Sequence, residues 1–449
     1  MDYSECLSYI ESLSPTLEKP SLTRIAAFMA AHGNWQNQYP VIHVAGTNGK
    51  GSTVALIDSI ARAAGLKTGR FTGPHLLRWN ERFHIDGEPI SDLEFARIGS
   101  YVRDLSQEFA CANPEIGPLT WFEFLTVIAF YWFAENRVDL GVIEVGLGGR
   151  FDATNVVGNV LVSVITNIDL DHTHILGNTV EEIAFEKSGI IKSAVPVVSG
   201  ASGAALGVIS NRSKQLGCDL FAINDNPKGE LASKIQSDFN ACRESLALLG
   251  SYQQENGLLA VAAFHISGLA ARNPGRSQQI IRSGFEHAYW PGRLQVVRVP
   301  GSDRKIVLDG AHNVAGAEAL RAALERIHPR RKIQFVIGCF ENKNARRIVD
   351  ALVRAGDCVY ASQAATRRAT FDKEQLAIFC NERGARASTY ETIADAFRAA
   401  LDKSELVVVT GSFATVREVM IALGWKSVED GSPECVKISD ERKRTEDLF

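Results

Sequence analysis

The chain has 449 residues, 45% of them hydrophobic and 22% charged, with 48 Lys and Arg against 52 Asp and Glu, for a formal charge of −4. That apolar content excludes wholesale disorder, and the charge balance offers no basic excess for a nucleic-acid partner. The length suggests roughly two to three domains. The opening MDYSECLSYIES is too polar for a signal peptide, and no window approaches the ~18–20 apolar residues of a membrane span. The eight cysteines include no C-x-x-C pair. In a long chain this points to reduced thiols in a cytoplasmic protein, with neither a disulfide framework nor a zinc site.

In chain order, β-branched runs predict strands at Val41–Ala45, Val138–Val145, Val160–Thr166, Val195–Ser199, Lys305–Leu308, Ile333–Ile337, Cys358–Ala361 and Leu406–Thr410. Between them lie helical patterns. In Thr53–Ala64, apolar residues recur at helical spacing and Gly65 is the stop. Thr179-Val180-Glu181-Glu182 reads as a capping box opening a helix that Gly189 closes. The segment Ala201–Ala205 fits either a loop or a helix start. Nearly continuous apolar strands separated by helices predict an α/β protein. A P-loop-type, mainly parallel sheet domain is followed by a smaller Rossmann-like α/β domain. The turn signal Pro291–Gly292 sets the boundary. The expected domains are 1–295 and 296–428, with a polar tail at 429–449.

The strongest local signal is the joint after Val41–Ala45: Gly46-Thr47-Asn48-Gly49-Lys50-Gly51-Ser52. Glycines let backbone N–H groups turn toward an anion, and the following helix N-terminus adds partial positive charge. Lys50 can bridge phosphate oxygens, and the Ser52 hydroxyl can ligate the Mg²⁺ that accompanies a nucleotide. The spacing departs from G-x-x-x-x-G-K-[ST], because two residues separate Gly46 from Gly49 and Gly51 follows Lys50. Glu144 ends another apolar strand, where open α/β sheets collect their ligands. It suits either a Mg²⁺ ligand or a capped surface position. Phe122 suits either a stacking platform for a flat heterocycle or a core aromatic.

GTNGKGS resembles the phosphate loop of the Mur ligase superfamily, in the form seen in folylpolyglutamate and dihydrofolate synthases. Further segments match that family in order: GPHLLRWNERF (73–83), TWFEFLT (120–126), EVGLGGRFDATN (144–155), ITNIDLDHTHILGNT (165–179), EKSGIIK (186–192), YQQEN (252–256), WPGR (290–293), LDGAHN (308–313) and TGSF (410–413). The resemblance runs over about residues 40–420. It implies an ATP-dependent, amide-forming ligase with Mg²⁺. Such an enzyme converts a pteroate or folyl carboxylate to an acyl phosphate, which the amine of L-glutamate attacks. The intact segments on the pterin side lean toward a bifunctional dihydrofolate synthase/folylpolyglutamate synthase acting on dihydropteroate and folate. Folylpolyglutamate synthase alone, another Mur-type amide ligase and a non-catalytic nucleotide-binding protein are the alternatives. The expected assembly is a monomer, with no nucleic acid or membrane partner.

Residue by residue, the resemblance assigns ATP to Thr47, Asn48, Gly49, Lys50, Gly51, Ser52, Asn256, Arg293 and Asp309. It assigns metal to Ser52, Glu144, His172 and Lys187, the last as a carbamate holding a second cation. Carbamylation needs an uncharged amine, so burial and a nearby cation must lower the Lys187 pKa. Thr120, Trp121, Phe122, Glu123, Phe151, Asp152 and Ala153 match the pterin-side segments, and Ser412 a segment linked to glutamate handling. Lys50, Lys187, Arg293 and His312 are the expected catalytic residues. Two positions depart from the pattern. Gly73 stands where the family carries a metal-ligating Ser, leaving water, Thr72 or a weaker second cation site to compensate. Asn344 stands where a carboxylate is usual, and receives no role.

Overall fold

The computed structural model describes residues 1–14, 21–299, 302, 304–329, 332–404 and 406–431. The expected polar tail lies outside these from residue 432 onward. The chain divides into two compact units. The first comprises Met1–His75, Trp79–Ser245 and Glu255–Ala288; the second comprises Leu76–Arg78, Leu246–Gln254 and the chain from Tyr289 onward.

The first unit holds β1 (Val41–Ala45), β2 (Thr68–Phe71), β3 (Phe83–Ile85), β4 (Glu88–Pro89), β5 (Leu140–Glu144), β6 (Val160–Ile165), β7 (Val197–Ser199) and β8 (Leu220–Ala222). They form one sheet in the order β4-β3-β2-β5-β1-β6-β7-β8. The pairs from β2 to β8 are parallel, while β3 pairs antiparallel with β2 and β4 at one edge. β1 sits between β5 and β6, so all five of its residues are buried. This is why its sequence is apolar on both faces. The helix Trp121–Glu135 is apolar nearly all round, and Phe124, Phe130 and Phe133 are fully enclosed in the core with Phe71, Phe83 and Phe95. Burying one such ring contributes about 1.5–3 kcal/mol.

The second unit holds β9 (Gln295–Arg298), β10 (Lys305–Leu308), β11 (Gln334–Ile337), β12 (Cys358–Ala361), β13 (Arg386–Thr389) and β14 (Leu406–Thr410) in the order β13-β12-β11-β14-β10-β9. All pairs are parallel except β9 with β10. The expected α/β architecture, with its larger sheet domain and smaller second domain, is the observed one.

Several boundaries differ from the sequence reading. β5 begins at Leu140 and β7 at Val197, two residues later than expected, and the helix after β1 begins at Lys50 and ends at Ala63. The segment near Ala201 becomes a helix at Gly203–Gln215. β2, β3, β4, β8, β9 and β13 were not anticipated. β2 reads TGRF, and its polar residues are buried because Asp58 receives them. The Thr68 hydroxyl donates to Asp58 Oδ1 at 2.5 Å, and Arg70 Nη1 lies 3.5 Å from Oδ2. The capping box at Thr179 and Glu182, closed at Gly189, is present as expected. Asn344 takes a structural role: its Oδ1 accepts from Arg347 N at 3.1 Å and caps the helix Ala345–Leu352.

Candidate active site

In the first unit the carboxyl ends of β1, β2, β5 and β6 face the same side, where open α/β sheets bind ligands. β1 passes directly into the glycine loop. Gly46 has φ +148° and Gly49 has φ +85°, a region that L side chains rarely enter. Space enforces glycine as well. A Cβ on Gly46 would lie 1.7 Å from Thr166 Oγ1, and one on Gly49 would lie 2.4 Å from Asn256 Oδ1. The loop is stitched to the end of β6. Thr47 N donates to Asn167 O at 2.8 Å, Asn48 N to Asn167 Oδ1 at 2.8 Å, and Thr166 Oγ1 to Asn48 O at 2.7 Å. Asp169 contributes its backbone, which exchanges hydrogen bonds with the Thr47 hydroxyl at 3.0 and 3.1 Å. Asn256, buried on the helix Tyr252–Ile266, also accepts from Thr53 Oγ1 at 3.3 Å. Asn256 thereby joins the loop that the sequence reading placed it beside. Gly51 and Ser52 form the first turn of the helix Lys50–Ala63, with Ser52 only 3% exposed.

Two lysines converge on one carbonyl. Lys50 Nζ donates to Gly46 O and Thr47 O, both at 3.1 Å, and Lys187 Nζ donates to Gly46 O at 2.7 Å. Burial and the Lys50 ammonium lower the Lys187 pKa from 10.5 to about 7, against the opposing pull of Asp171 and Asp152. The uncharged-amine requirement is therefore met near neutral pH.

Glu144 ends β5 nearly buried, and its Oε2 accepts from Gly73 N at 3.1 Å. His172 caps the short helix Thr173–Leu176 from a left-handed conformation, φ +50°, with its ring 6.2 Å from that of His174. Among the described residues no group of three His, Cys, Asp or Glu side chains could hold a metal. Mg²⁺ needs only one or two protein oxygens, because phosphate and water fill the rest of its octahedron. Glu144 at the end of β5 and Ser52 in the first turn of the helix after the loop are the residues that would hold it.

The pterin-side residues divide by environment. Thr120 and Glu123 form a capping box through Glu123 Oε2, which also lies 3.6 Å from Arg24, while the buried Glu123 Oε1 has no hydrogen-bond partner among the described residues. Asp152 is buried and accepts from Leu147 N, Thr154 N and Thr154 Oγ1; burial raises its pKa. Ala153 opens the turn behind it. Trp121 and Phe122 stand edge to face at 5.4 Å. A Cβ on Gly146 would meet the Phe122 ring at 2.3 Å, so that ring lies over the glycine loop after Glu144. Phe151 is 40% exposed, with the Arg150 guanidinium 4.3 Å from its centroid. Phe151 is thus exposed beside Arg150, Phe122 packs partly buried against the core, and Thr120, Glu123 and Asp152 hold the loops in shape.

In the second unit, four expected residues gather around Phe413. Arg293 lies 4.5 Å from its ring centroid and the His312 ring 6.0 Å away. Asp309, at the end of β10, is buried; its Oδ2 accepts from Leu294 N and its Oδ1 from Ala311 N, both at 2.8 Å. Burial raises the Asp309 pKa, and Arg293 opposes the shift. Ser412 caps the helix Phe413–Ala422, accepting from Thr415 N at 3.1 Å. His312 Nδ1 lies 2.8 Å from Gly310 O, which can only accept, so the neutral ring carries its proton there.

The sequence reading missed Asn167 and Thr166, which hold the phosphate loop.

The glutamate ligase domain of Mur ligases matches residues 292–413. The Bacillus subtilis dihydrofolate synthase/folylpolyglutamate synthase is 33% identical over 93% of this chain and 98% of its own length. The Lacticaseibacillus casei folylpolyglutamate synthase is 35% identical over 80% and 85%. The Mycobacterium tuberculosis folylpolyglutamate synthase, solved in complex with ADP, superposes with a TM-score of 0.82 at 30% identity, covering 94% of this chain and 98% of that one. With the glycine loop, its two lysines and the strand-end carboxylate in place, the chain belongs to the folylpolyglutamate synthase/dihydrofolate synthase family of ATP-dependent amide-forming ligases, in the Mur ligase superfamily.

Proposed function

We propose that this chain adds L-glutamate both to dihydropteroate and to reduced folates, with MgATP as the energy source. The observation that carries the reading is the convergence of Lys50 and Lys187 on the Gly46 carbonyl, in the glycine loop that leads into the helix Lys50–Ala63. The loop and Asn256 hold the nucleotide. A substrate carboxylate oxygen attacks the γ-phosphorus, the bond to the β-phosphate oxygen breaks, and ADP leaves. Lys50 and Arg293 stabilise the charge spread over the transferred phosphoryl group. Glu144 and Ser52 would hold Mg²⁺, which when bound would neutralise further charge on the phosphates. The glutamate amine then attacks the acyl carbon, and inorganic phosphate leaves. His312 is the residue we assign to take up the proton that this amine loses.

Activity on both acids is supported by two features. The pterin-side loops are folded around Asp152 and the Thr120–Glu123 box, and the relative from B. subtilis carries both activities in its name. The test is product mass spectrometry after incubation with MgATP, L-glutamate and either dihydropteroate or tetrahydrofolate. A mass gain of one glutamyl unit on both acids is expected. A gain on tetrahydrofolate alone restricts the enzyme to folylpolyglutamate synthesis, and no gain with either refutes the reading.

A further inference from the structure

In the first unit the turn Ala153–Val156 is tied to β1 through three buried side chains, Asp152, Thr154 and His43. The Asp152 carboxylate closes the loop that precedes the turn. Its Oδ2 accepts from Leu147 N at 2.8 Å, and its Oδ1 accepts from Thr154 N at 3.0 Å and from Thr154 Oγ1 at 2.5 Å. A carboxylate oxygen only accepts, so the single hydroxyl proton of Thr154 is spent on Asp152. Toward His43, whose Nε2 lies 2.8 Å away, the Thr154 oxygen therefore accepts, and Nε2 carries the ring proton. His43 Nδ1 is then bare, in keeping with its having no hydrogen-bond partner among the described residues. A chain of donors thus runs from β1 through Thr154 to the carboxylate.

The loop that Asp152 closes is anchored at its tip as well. Arg150 N donates to Glu186 O at 2.8 Å, and the Arg150 guanidinium pairs with the Glu186 carboxylate at 2.6 Å. Between these anchors the loop leaves two apolar side chains exposed, Leu147 and Phe151. His43 lies on β1, the strand that runs into the glycine loop. One strand therefore carries the phosphate loop at its end and, through a side chain, the buried support of the acid-side loop. A buried carboxylate that loses a donor is costly to keep charged, so removing Thr154 Oγ1 loosens this closure.

We infer that His43 and Thr154 are positioning residues for the acid substrate: acting through Asp152, they fix the loop 147–152 in the shape that receives it. This rests on the proposed function, but its test does not require turnover. Pteroate and ADP are titrated separately by calorimetry into the wild-type protein, Thr154→Val, Thr154→Ser, His43→Leu and His43→Gln, with thermal melting as a check on folding. Thr154→Val keeps the side-chain shape and deletes the hydroxyl. It is expected to raise the pteroate Kd about tenfold while the ADP Kd stays within about threefold of wild type. His43→Leu shifts the pteroate Kd in the same direction by a smaller factor. Thr154→Ser and His43→Gln restore the hydroxyl and an N–H donor, and are expected to bind pteroate nearly as well as wild type. Because β1 leads straight into the glycine loop, a merely structural loss weakens both ligands together. Equal losses for pteroate and ADP, an unchanged pteroate Kd in Thr154→Val, or no recovery in Thr154→Ser would each overturn the inference. Should Thr154→Val fail to fold, the two His43 variants give the same decision. If pteroate binding falls in Thr154→Val but the wild-type protein forms no glutamyl product, the ligase reading fails while this one stands. If product forms and pteroate binding is indifferent to Thr154, the reverse holds.

Discussion

The two units use the same device, a parallel sheet whose strands end in glycine-containing loops, and arm it differently. In the first, the strand ends carry cations close to backbone: Lys50 and Lys187 share the Gly46 carbonyl, and Arg82 fills the space beside Gly73. In the second, the strand end of β10 carries a buried carboxylate, Asp309, that ties Leu294 and Ala311 together while Arg293 lies over Phe413. Both units thus end a strand in a buried carboxylate, Glu144 and Asp309, and the first adds two lysines on one carbonyl. What a strand-end loop can bind is set by the few side chains at its mouth, and the sheet only places them.

The sharpest way to break this comparison is to remove one cation from each unit. Lys50→Ala is expected to lower kcat by about 10²–10³. Arg293→Ala is expected to lower kcat by a similar factor of about 10²–10³, with ATP affinity within about threefold of wild type. Single-turnover kinetics with separate nucleotide-binding titrations would check both. Equal losses of nucleotide affinity in the two variants would mean that the units do not divide the work this way.

Lys187 sharpens the comparison through pH. Its folded pKa is about 7, against an ordinary 10.5, so the folded protein sheds this proton first. Between these values the unfolded chain binds the extra proton, and this group's contribution to stability rises with pH from about 7 to 10.5. The reactive free amine likewise grows as pH rises through about 7. Activity is expected to rise across the same range and to increase with added bicarbonate, whereas Lys187→Arg does neither. A flat bicarbonate response in wild type would remove the case for a carbamate.

His43 gives a smaller effect confined to the first unit. It is fully buried against Thr154 Oγ1, and burial lowers its pKa from 6.5 to about 3. The neutral ring must take up a proton on unfolding in acid, so its contribution is complete above pH 6.5 and is lost as pH falls toward 3. Urea midpoints of His43→Gln should depend less on pH across that window than those of wild type. The smallest effect belongs to the second unit. Ser412→Ala removes a helix cap and is expected to cost about 1 kcal/mol, read as a fall in Tm with little change in ATP binding.

Much of this was legible in the residues, for definable reasons. β1, β6, β11 and β14 are buried on both faces, so continuous apolar runs revealed them. The capping box at Thr179 and Glu182 is local in sequence, and so was readable. β2 was not readable, because its buried Thr68 and Arg70 face Asp58 from the preceding helix, a partner outside the strand. β13 is an edge strand with three of its four residues exposed, so its sequence shows no apolar alternation. Among the site residues, Lys50 and Ser52 announced themselves by spacing, whereas Asn167 matters through partners far from it in the chain.

The sequence by itself determined the α/β alternation, the glycine loop and its lysine, and the ordered segments that mark the family, since each depends on neighbours within a few residues. Tertiary structure alone decided which polar groups are spent on holding loops and which face a ligand. It turned Thr120, Glu123 and Asp152 inward, pressed Lys187 against Gly46, and stood Arg82 where Gly73 has no side chain. Burial and hydrogen bonding between distant segments set a group's charge and direction, and no local pattern encodes them.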